Sequence, residues 1–148
     1  MKINVGVRIA ASPADVWYGI QDVESHTEWM RDAVAIRFLG DQKQGAGTRF
    51  VCDTKIGPFS LSDVMEVTEW SPGSRMGIRH AGLVTGEGAF TLVKVETDST
   101  HHTYFQWEEK LRFSWRLGGP LTAVAAWPIL RAMWKGNLLR LKSRIENS

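Results

Sequence analysis

The segment "TYFQWEEKLRF", Thr103 to Phe113, alternates between apolar and polar residues. Its odd positions carry apolar side chains such as Phe105 and Leu111, and its even positions are mostly polar. This period of two predicts a β-strand with one face on a hydrophobic core and the other face in water. Glu109 breaks the pattern, because it places a carboxylate on the apolar face next to Trp107.

The same alternation recurs upstream of this stretch. It predicts a first strand over Ile3 to Ile9 and about six strands between Asp32 and Phe113, including the opening stretch. Segments rich in Gly, Pro and polar residues separate them, at positions 39–47, 57–58, 71–74 and 96–101. Such short spacings are typical of the hairpins of an antiparallel sheet. Around residues 85–95 the inward face stays open, because either Phe90 and Leu92, or Thr91, Val93 and Val95, fit.

Two short helices are predicted between the first strand and the rest of the sheet. Ser12 is a favourable N-cap, a proline follows it, and Asp15 stands three residues after the cap. These signals predict a helix over Pro13 to Ile20. Asp22 is a second candidate cap and predicts another short helix that runs to Met30.

The C-terminal part of the chain changes to a helical period after the glycines and proline at 118–120. Apolar residues recur there at spacings of three and four: Trp127, Leu130, Trp134, Leu138, Leu141 and Ile145. This stripe predicts an amphipathic helix of about 25 residues. Pro128 is expected to kink the helix or to mark the end of an irregular first turn.

Composition limits the class of protein. The 148 residues are 43% hydrophobic and 23% charged, which predicts one globular domain over residues 1–148. A net charge of +2 without a basic, aromatic-rich run argues against nucleic-acid binding. The single Cys52 and the lack of a long apolar leader predict a cytoplasmic protein. The longest apolar stretch, Leu121 to Leu130, is too short to span a membrane.

These elements predict an α+β architecture in which one long helix covers the apolar face of a curved sheet. Because the sheet is wider than a helix, a gap between them is a natural place for a ligand cavity.

Several segments together resemble the START-like SRPBCC superfamily: "SPADVWYGIQDVESHTEWM" at 12–30, "GAGTRF" at 45–50, "VTEWSPGSRM" at 67–76 and the final helix. The most similar subgroup is the polyketide cyclase/dehydrase and lipid-transport proteins. The resemblance spans nearly the whole chain and implies a helix-grip fold, in which the sheet wraps the C-terminal helix around a hydrophobic tunnel. It also implies binding of lipids, polyketides, sterols or quinone-like molecules, with cyclisation or dehydration in some members. Fold alone does not choose between these roles.

Three polar residues share the inward faces of the predicted strands: Asp63, His80 and Glu109. An unpaired carboxylate in a dry core costs several kcal/mol, so Glu109 needs a partner or access to water. Three interpretations are open for it: a structural brace to Arg116 or Arg131, a position in water at the rim, or a catalytic or ligand-anchoring role. His80 and Asp63 are likewise open to two interpretations, a structural or rim position and a catalytic role.

As a catalytic set, His80, Glu109 and Asp63 would perform acid–base chemistry. A histidine exchanges protons near neutral pH, and a carboxyl kept protonated by apolar surroundings could act as an acid. Residues expected to contact a ligand are the large apolar side chains on the inward faces of strands and helix: Met65, Met76, Ile78, Phe90, Phe105, Trp107, Trp127, Leu130 and Trp134.

The leading functional hypothesis is non-enzymatic binding or transport of a hydrophobic small molecule. A polyketide cyclase or dehydratase is the alternative, and a protein-interaction module is a third class. The glycine pairs at 45–47 and 86–88 are interpreted as turn and bulge glycines rather than a dinucleotide site, and no cofactor or metal is predicted. The basic residues of the final helix are interpreted as a solvated face that the helix dipole favours, with weak, transient contact with an anionic membrane as the alternative: Arg131, Lys135, Arg140, Lys142 and Arg144.

Overall fold

Alternating apolar side chains place the strands in one antiparallel sheet. The computed structural model describes residues 1–97 and 100–148, with the backbone alone at positions 97 and 100. Its sheet has seven strands in the order β1-β7-β6-β5-β4-β3-β2. The bounds are β1 Lys2–Ile9, β2 Ala33–Phe38, β3 Arg49–Ile56, β4 Phe59–Ser71, β5 Arg75–Ala81, β6 Val84–Thr97 and β7 Thr100–Phe113. The turn predicted over 96–101 is too long, because positions 96–97 belong to β6 and 100–101 to β7; its remaining positions, 98 and 99, lie outside the described residues.

The helices follow the chain order predicted above. Helix α1 spans Pro13–Ile20, as predicted, and the Ser12 hydroxyl accepts a hydrogen bond from the Asp15 amide at 3.2 Å. The second helix is a 3-10 helix, Val23–Glu28, which is shorter than predicted and has no capping bond from the Asp22 side chain in the described structure. A further 3-10 turn, Trp115–Leu117, precedes helix α2, Gly119–Glu146. Among the described residues, no helix has the length and apolar character needed to cross a bilayer.

Helix α2 lies along the edge strand β1 and binds its exposed carbonyl groups. The Trp127 indole N–H donates to the carbonyl of Lys2 at 2.8 Å, Lys135 donates to Gly6, and Lys142 donates to Arg8 at 2.8 Å. An unpaired strand edge invites association with other chains, so these contacts protect it.

The basic residues of α2 therefore have structural partners. Besides the two lysines bound to β1, Arg140 donates to the carbonyl of Trp29 at 3.1 Å, and Arg144 pairs with Glu28. Four of the five basic residues that suggested membrane contact therefore bind other parts of the chain and hold the helix in place.

The middle of the helix–sheet interface is filled by aromatic side chains. Trp107 stacks on Trp134 with ring centroids 4.7 Å apart, and Phe90 contacts Trp107 at 5.3 Å. Phe90 and Leu92 are buried and Val93 is half exposed, which settles the inward face of β6. These rings occupy the centre of the interface, so the ligand cavity expected between helix and sheet does not lie there.

Candidate functional site

A pocket of about 980 Å³ opens at one end of the helix–sheet interface. It lies where the start of β1, the β5–β6 turn, the end of β7 and the first turns of α2 meet. Most of its wall is apolar, and the pocket opens to solvent past Trp115 and Val124, which are both highly exposed. The principal apolar lining residues are Leu83, Leu111, Phe113, Ala123, Val124 and Trp127.

The chain reversal between β7 and α2 forms the mouth of this pocket. The Ser114 amide donates to the carbonyl of Leu83 at 2.9 Å, which ties the end of β7 to the β5–β6 turn. Gly118 and Gly119 then adopt positive φ angles of 99° and 56°, which a residue with a Cβ adopts only with strain. A Cβ on Gly119 would also lie 2.9 Å from the Trp115 ring. The two glycines therefore allow the sharp reversal that sets α2 beside the pocket.

The charged side chains among the described residues that line the pocket are all basic: Lys2, Arg112 and Arg116. Of these, Lys2 alone has a carboxylate partner in the described part of the chain, Glu108 at 3.3 Å. The pocket thus combines an apolar wall with a basic surround.

His80 and Glu109 meet in a buried pair on the concave face of the sheet. His80 Nε2 lies 3.0 Å from one Glu109 oxygen, and the Trp107 indole N–H donates to the other oxygen at 3.0 Å. The Glu109 side chain is 8% exposed. The brace to Arg116 or Arg131 and the position in water were therefore both wrong interpretations of this carboxylate.

One glycine of β6 makes room for that pair. Gly88 lies opposite Glu109 in the sheet, and a Cβ on Gly88 would overlap the Glu109 carboxylate. Gly86 lies opposite His80 with a φ of 134°, and a Cβ there would instead overlap the Lys110 carbonyl of β7. The expectation of turn or bulge glycines at 86–88 is corrected, since both lie within the continuous pairing of β6 with its neighbours, where Gly88 provides space for the buried pair.

The electrostatics of the pair favour the protonated histidine. Burial on its own lowers the pKa of His80, but the hydrogen bond and charge of Glu109, with the charge of Asp63, outweigh burial and raise the pKa above its usual value of 6.5. His80 and Glu109 therefore form an ion pair over a wider pH range than an exposed histidine would allow.

Asp63 is buried but does not bond to the pair. Its carboxylate accepts a hydrogen bond from the Leu83 amide at 3.1 Å and lies directly against Gly82. Both of those turn residues line the pocket. Asp63 therefore stands one layer behind the pocket wall and fixes the β5–β6 turn.

The predicted site residues are only partly brought together. Asp63, His80 and Glu109 are not among the described residues that line the pocket, although Gly82 and Leu111 at its inner end adjoin them in the sheet. Of the residues predicted to contact a ligand, Trp127 lines the pocket. The others pack in or against the core: Met65, Met76, Ile78, Phe90, Phe105, Trp107, Leu130 and Trp134.

The residues that sequence reasoning missed lie at the start of α2. Leu121 and Val124 fall outside the apolar stripe of the helix, yet they are large, apolar and close to the glycine turn. An apolar pair that has no place on the core stripe is the signal that could have identified this end of the helix as a binding surface.

Other reactive groups are held in unreactive states. Burial raises the pKa of the Cys52 thiol to about 11, partly opposed by a hydrogen bond with Thr54 and assisted by nearby aspartates. A thiol of that kind is a poor nucleophile at neutral pH.

Within residues 1–97 and 100–148, no group of three or more His, Cys, Asp or Glu side chains is placed to hold a metal ion.

Comparison with known proteins gives a consistent family and fold. The family model described as polyketide cyclase / dehydrase and lipid transport matches residues 1–146. No curated protein sequence matches the chain.

Solved structures match over almost the whole chain at low sequence identity. A conserved protein of Geobacillus kaustophilus is 13% identical with a TM-score of 0.78, covering 100% of this chain and 97% of its own. A Thermus thermophilus protein is 16% identical with a TM-score of 0.74, covering 98% and 97%. The Zhui aromatase/cyclase of a Streptomyces species is 14% identical with a TM-score of 0.69, covering 99% and 93%. At these identities the matches establish the helix-grip fold.

Proposed function

The chain belongs to the polyketide cyclase/dehydrase and lipid transport family, and on that premise we propose that it binds a hydrophobic small molecule in the pocket beside the start of α2. A lipid, a polyketide or a quinone-like compound has the required apolar surface. The observation that carries the proposal is the pocket itself, because about 980 Å³ of space with a mostly apolar wall matches the size and character of small-molecule sites.

The position of the pocket favours a carrier or sequestering protein. Its wall is built from the end of the sheet and the start of a helix, so a ligand can enter past exposed side chains without opening the packed aromatic core. Burial of the ligand's apolar surface against the wall contributes roughly 25 cal/mol for each Å². The basic side chains around the pocket suit a polar or acidic end group on the ligand.

Blocking the pocket tests this proposal. Ala123 lines the pocket, and Ala125 lies two residues further on α2, exposed and away from the lining. Ala123→Trp is expected to weaken binding of the hydrophobic dye Nile red at least about tenfold, because the indole would occupy the space of the ligand. Ala125→Trp adds the same ring outside the pocket and should leave binding unchanged in a fluorescence titration. Equal affinity in both variants would refute the pocket as the binding site.

A cyclase or dehydratase is the second candidate, favoured by the His80–Glu109 pair, because Glu109 lies two residues before Leu111 on the same face of β7 and Leu111 lines the pocket. In that function His80 would deliver or remove a proton while Glu109 holds its ring, and a substrate would have to reach past Leu111. Glu109→Gln keeps the shape of the side chain but removes its charge, so turnover of a polyketide substrate should fall by about 100-fold or more. Unchanged turnover would exclude the pair from the chemistry.

A further inference from the structure

The rim of the pocket carries a concentrated group of exposed apolar side chains, which we call the mouth patch: Leu83, Trp115, Leu121, Val124 and Trp127. Trp115 and Leu121 are each 81% exposed and Val124 is 76% exposed. Val124 lies three residues from both Leu121 and Trp127, so it is a neighbour of each on the surface of α2. Four of the five also line the pocket, which places the patch around its opening.

The turn that presents Trp115 is well held by hydrogen bonds. The Ser114 hydroxyl accepts from the Arg116 amide at 3.2 Å, and the Gly118 amide donates to the Trp115 carbonyl at 3.0 Å. The hydroxyl of Thr122 donates to the carbonyl of Leu117 and joins the turn to α2. The Trp115 ring borders Gly119, but most of its apolar surface is held in water by an ordered turn, and such exposure within an apolar patch indicates a partner.

The charge around the mouth patch indicates which partner. Arg116 is next to Trp115 in the chain, and Arg112 and Lys2 line the same pocket. Acidic side chains are not among the described residues that form its wall. A tryptophan and aliphatic side chains bordered by cations match the interfacial region of an anionic bilayer, where indole rings lie at the headgroups and basic residues bind phosphates.

We infer that the mouth patch docks on the surface of an anionic lipid bilayer, with Trp115, Leu121 and Val124 inserted among the headgroups. The pocket then opens towards the membrane, and a hydrophobic ligand passes between bilayer and protein without crossing water. This surface differs from the basic residues further along α2, whose charges bind Gly6, Arg8, Trp29 and Glu28.

The charge of the patch favours a bilayer over a second copy of the chain. The charged side chains that border it among the described residues are basic, so an identical copy packed on it would bring like charges together. Insertion into headgroups needs no matching surface and takes place at the opening of the pocket. A dimer formed through the patch would instead close that opening.

Vesicle flotation tests the inference with the full chain. Phosphatidylcholine vesicles with roughly one-third phosphatidylglycerol should bind the protein, and vesicles of phosphatidylcholine alone should bind it at least about tenfold more weakly. Leu121→Ser should weaken binding to the anionic vesicles about tenfold, and the double variant Trp115→Ser/Leu121→Ser further still, because each removes inserted apolar surface. Because Leu121 is outside the pocket lining, Leu121→Ser should still bind Nile red in solution like the wild type.

Two matched controls make the result specific. Phe59 is an apolar residue exposed to a similar degree on the β3–β4 hairpin, and Phe59→Ser should leave vesicle binding unchanged. Arg144→Gln removes a charge from the other end of α2 and should have little effect. The inference is overturned if the wild type does not float, if Phe59→Ser or Arg144→Gln matters as much as Leu121→Ser, or if the patch mediates a dimer that Leu121→Ser dissociates.

The vesicle result is independent of the proposed ligand site. A protein that binds Nile red but not vesicles would refute docking and leave the proposed function intact. A protein that binds vesicles but whose uptake of Nile red is insensitive to Ala123→Trp would refute the pocket and leave docking intact.

Discussion

Gly88→Ala is expected to lower the free energy of unfolding by about 3 kcal/mol, although it adds a single methyl group. The methyl would overlap the Glu109 carboxylate. The backbone of β6 is paired on both sides, with β5 and β7, and therefore cannot move aside. Glu109 would have to leave its place between His80 and the Trp107 indole. Separating a buried ion pair costs several kcal/mol because each partner loses its charge or hydrogen-bond complement in a dry site.

A double-mutant cycle separates this mechanism from a general effect of alanine in a strand. Glu109→Ala alone should cost about 3 kcal/mol, since it leaves the histidine and the indole N–H without their acceptor. Adding Gly88→Ala to Glu109→Ala should cost almost nothing more, because the methyl then enters empty space. Chemical denaturation of the four proteins gives the coupling energy, which should be about 3 kcal/mol. Additive penalties would show that the glycine is not there to accommodate the carboxylate.

Acidification should destabilise the protein by about 3 kcal/mol between pH 6.5 and pH 4 through His26. This side chain is buried between Trp29 and Phe90, and its Nε2–H donates to the Ile20 carbonyl at 2.7 Å. Burial lowers the pKa of His26 from 6.5 to about 4, against the opposing effects of that hydrogen bond and of Asp22. In this window the unfolded chain binds a proton that the native state does not, so stability falls as the pH falls.

His80 has the opposite dependence. Because its pKa is raised in the folded protein, its contribution is complete below pH 6.5 and is lost as the pH rises through the raised value. Stability should therefore pass through a maximum near pH 6.5. His26→Gln should flatten the acid side and Glu109→Gln the neutral side, as measured by urea denaturation at several pH values. An acid slope that survives in His26→Gln would mean that another group controls it.

The sequence predicted the architecture because its local signals were strong and consistent. Ser12, Pro13 and Asp15 determine where α1 begins. The alternation over Ile3 to Ile9 and Thr103 to Phe113 determines strands whose apolar side chains lie on one face, so only that face can be buried. The family resemblance adds the order of the elements, which the structure shows. The family match over residues 1–146 confirms the resemblance itself.

The candidate site was harder to predict because it depends on distances between strands. Strand parity placed Glu109 and His80 on the inner face, but the two are 29 residues apart in the chain. Their contact depends on the register of three strands and on the missing side chain of Gly88. The alternation of residues along a strand also predicts which side chains face inward, but it does not show whether they fill the space between sheet and helix. Trp107 and Trp134 are therefore predicted to line a ligand cavity, whereas in the structure they pack on each other.

Photo-crosslinking shows whether a ligand binds in the pocket at the start of α2. The protein is irradiated with a fatty acid that carries a diazirine in its chain, digested with trypsin and mapped by mass spectrometry. The label should fall in the peptides of residues 113–116 and 117–131, which hold most of the pocket wall on β7 and α2. Labelling instead in residues 95–110 or 132–135, which carry Trp107 and Trp134, would place the ligand in the interior and contradict the account.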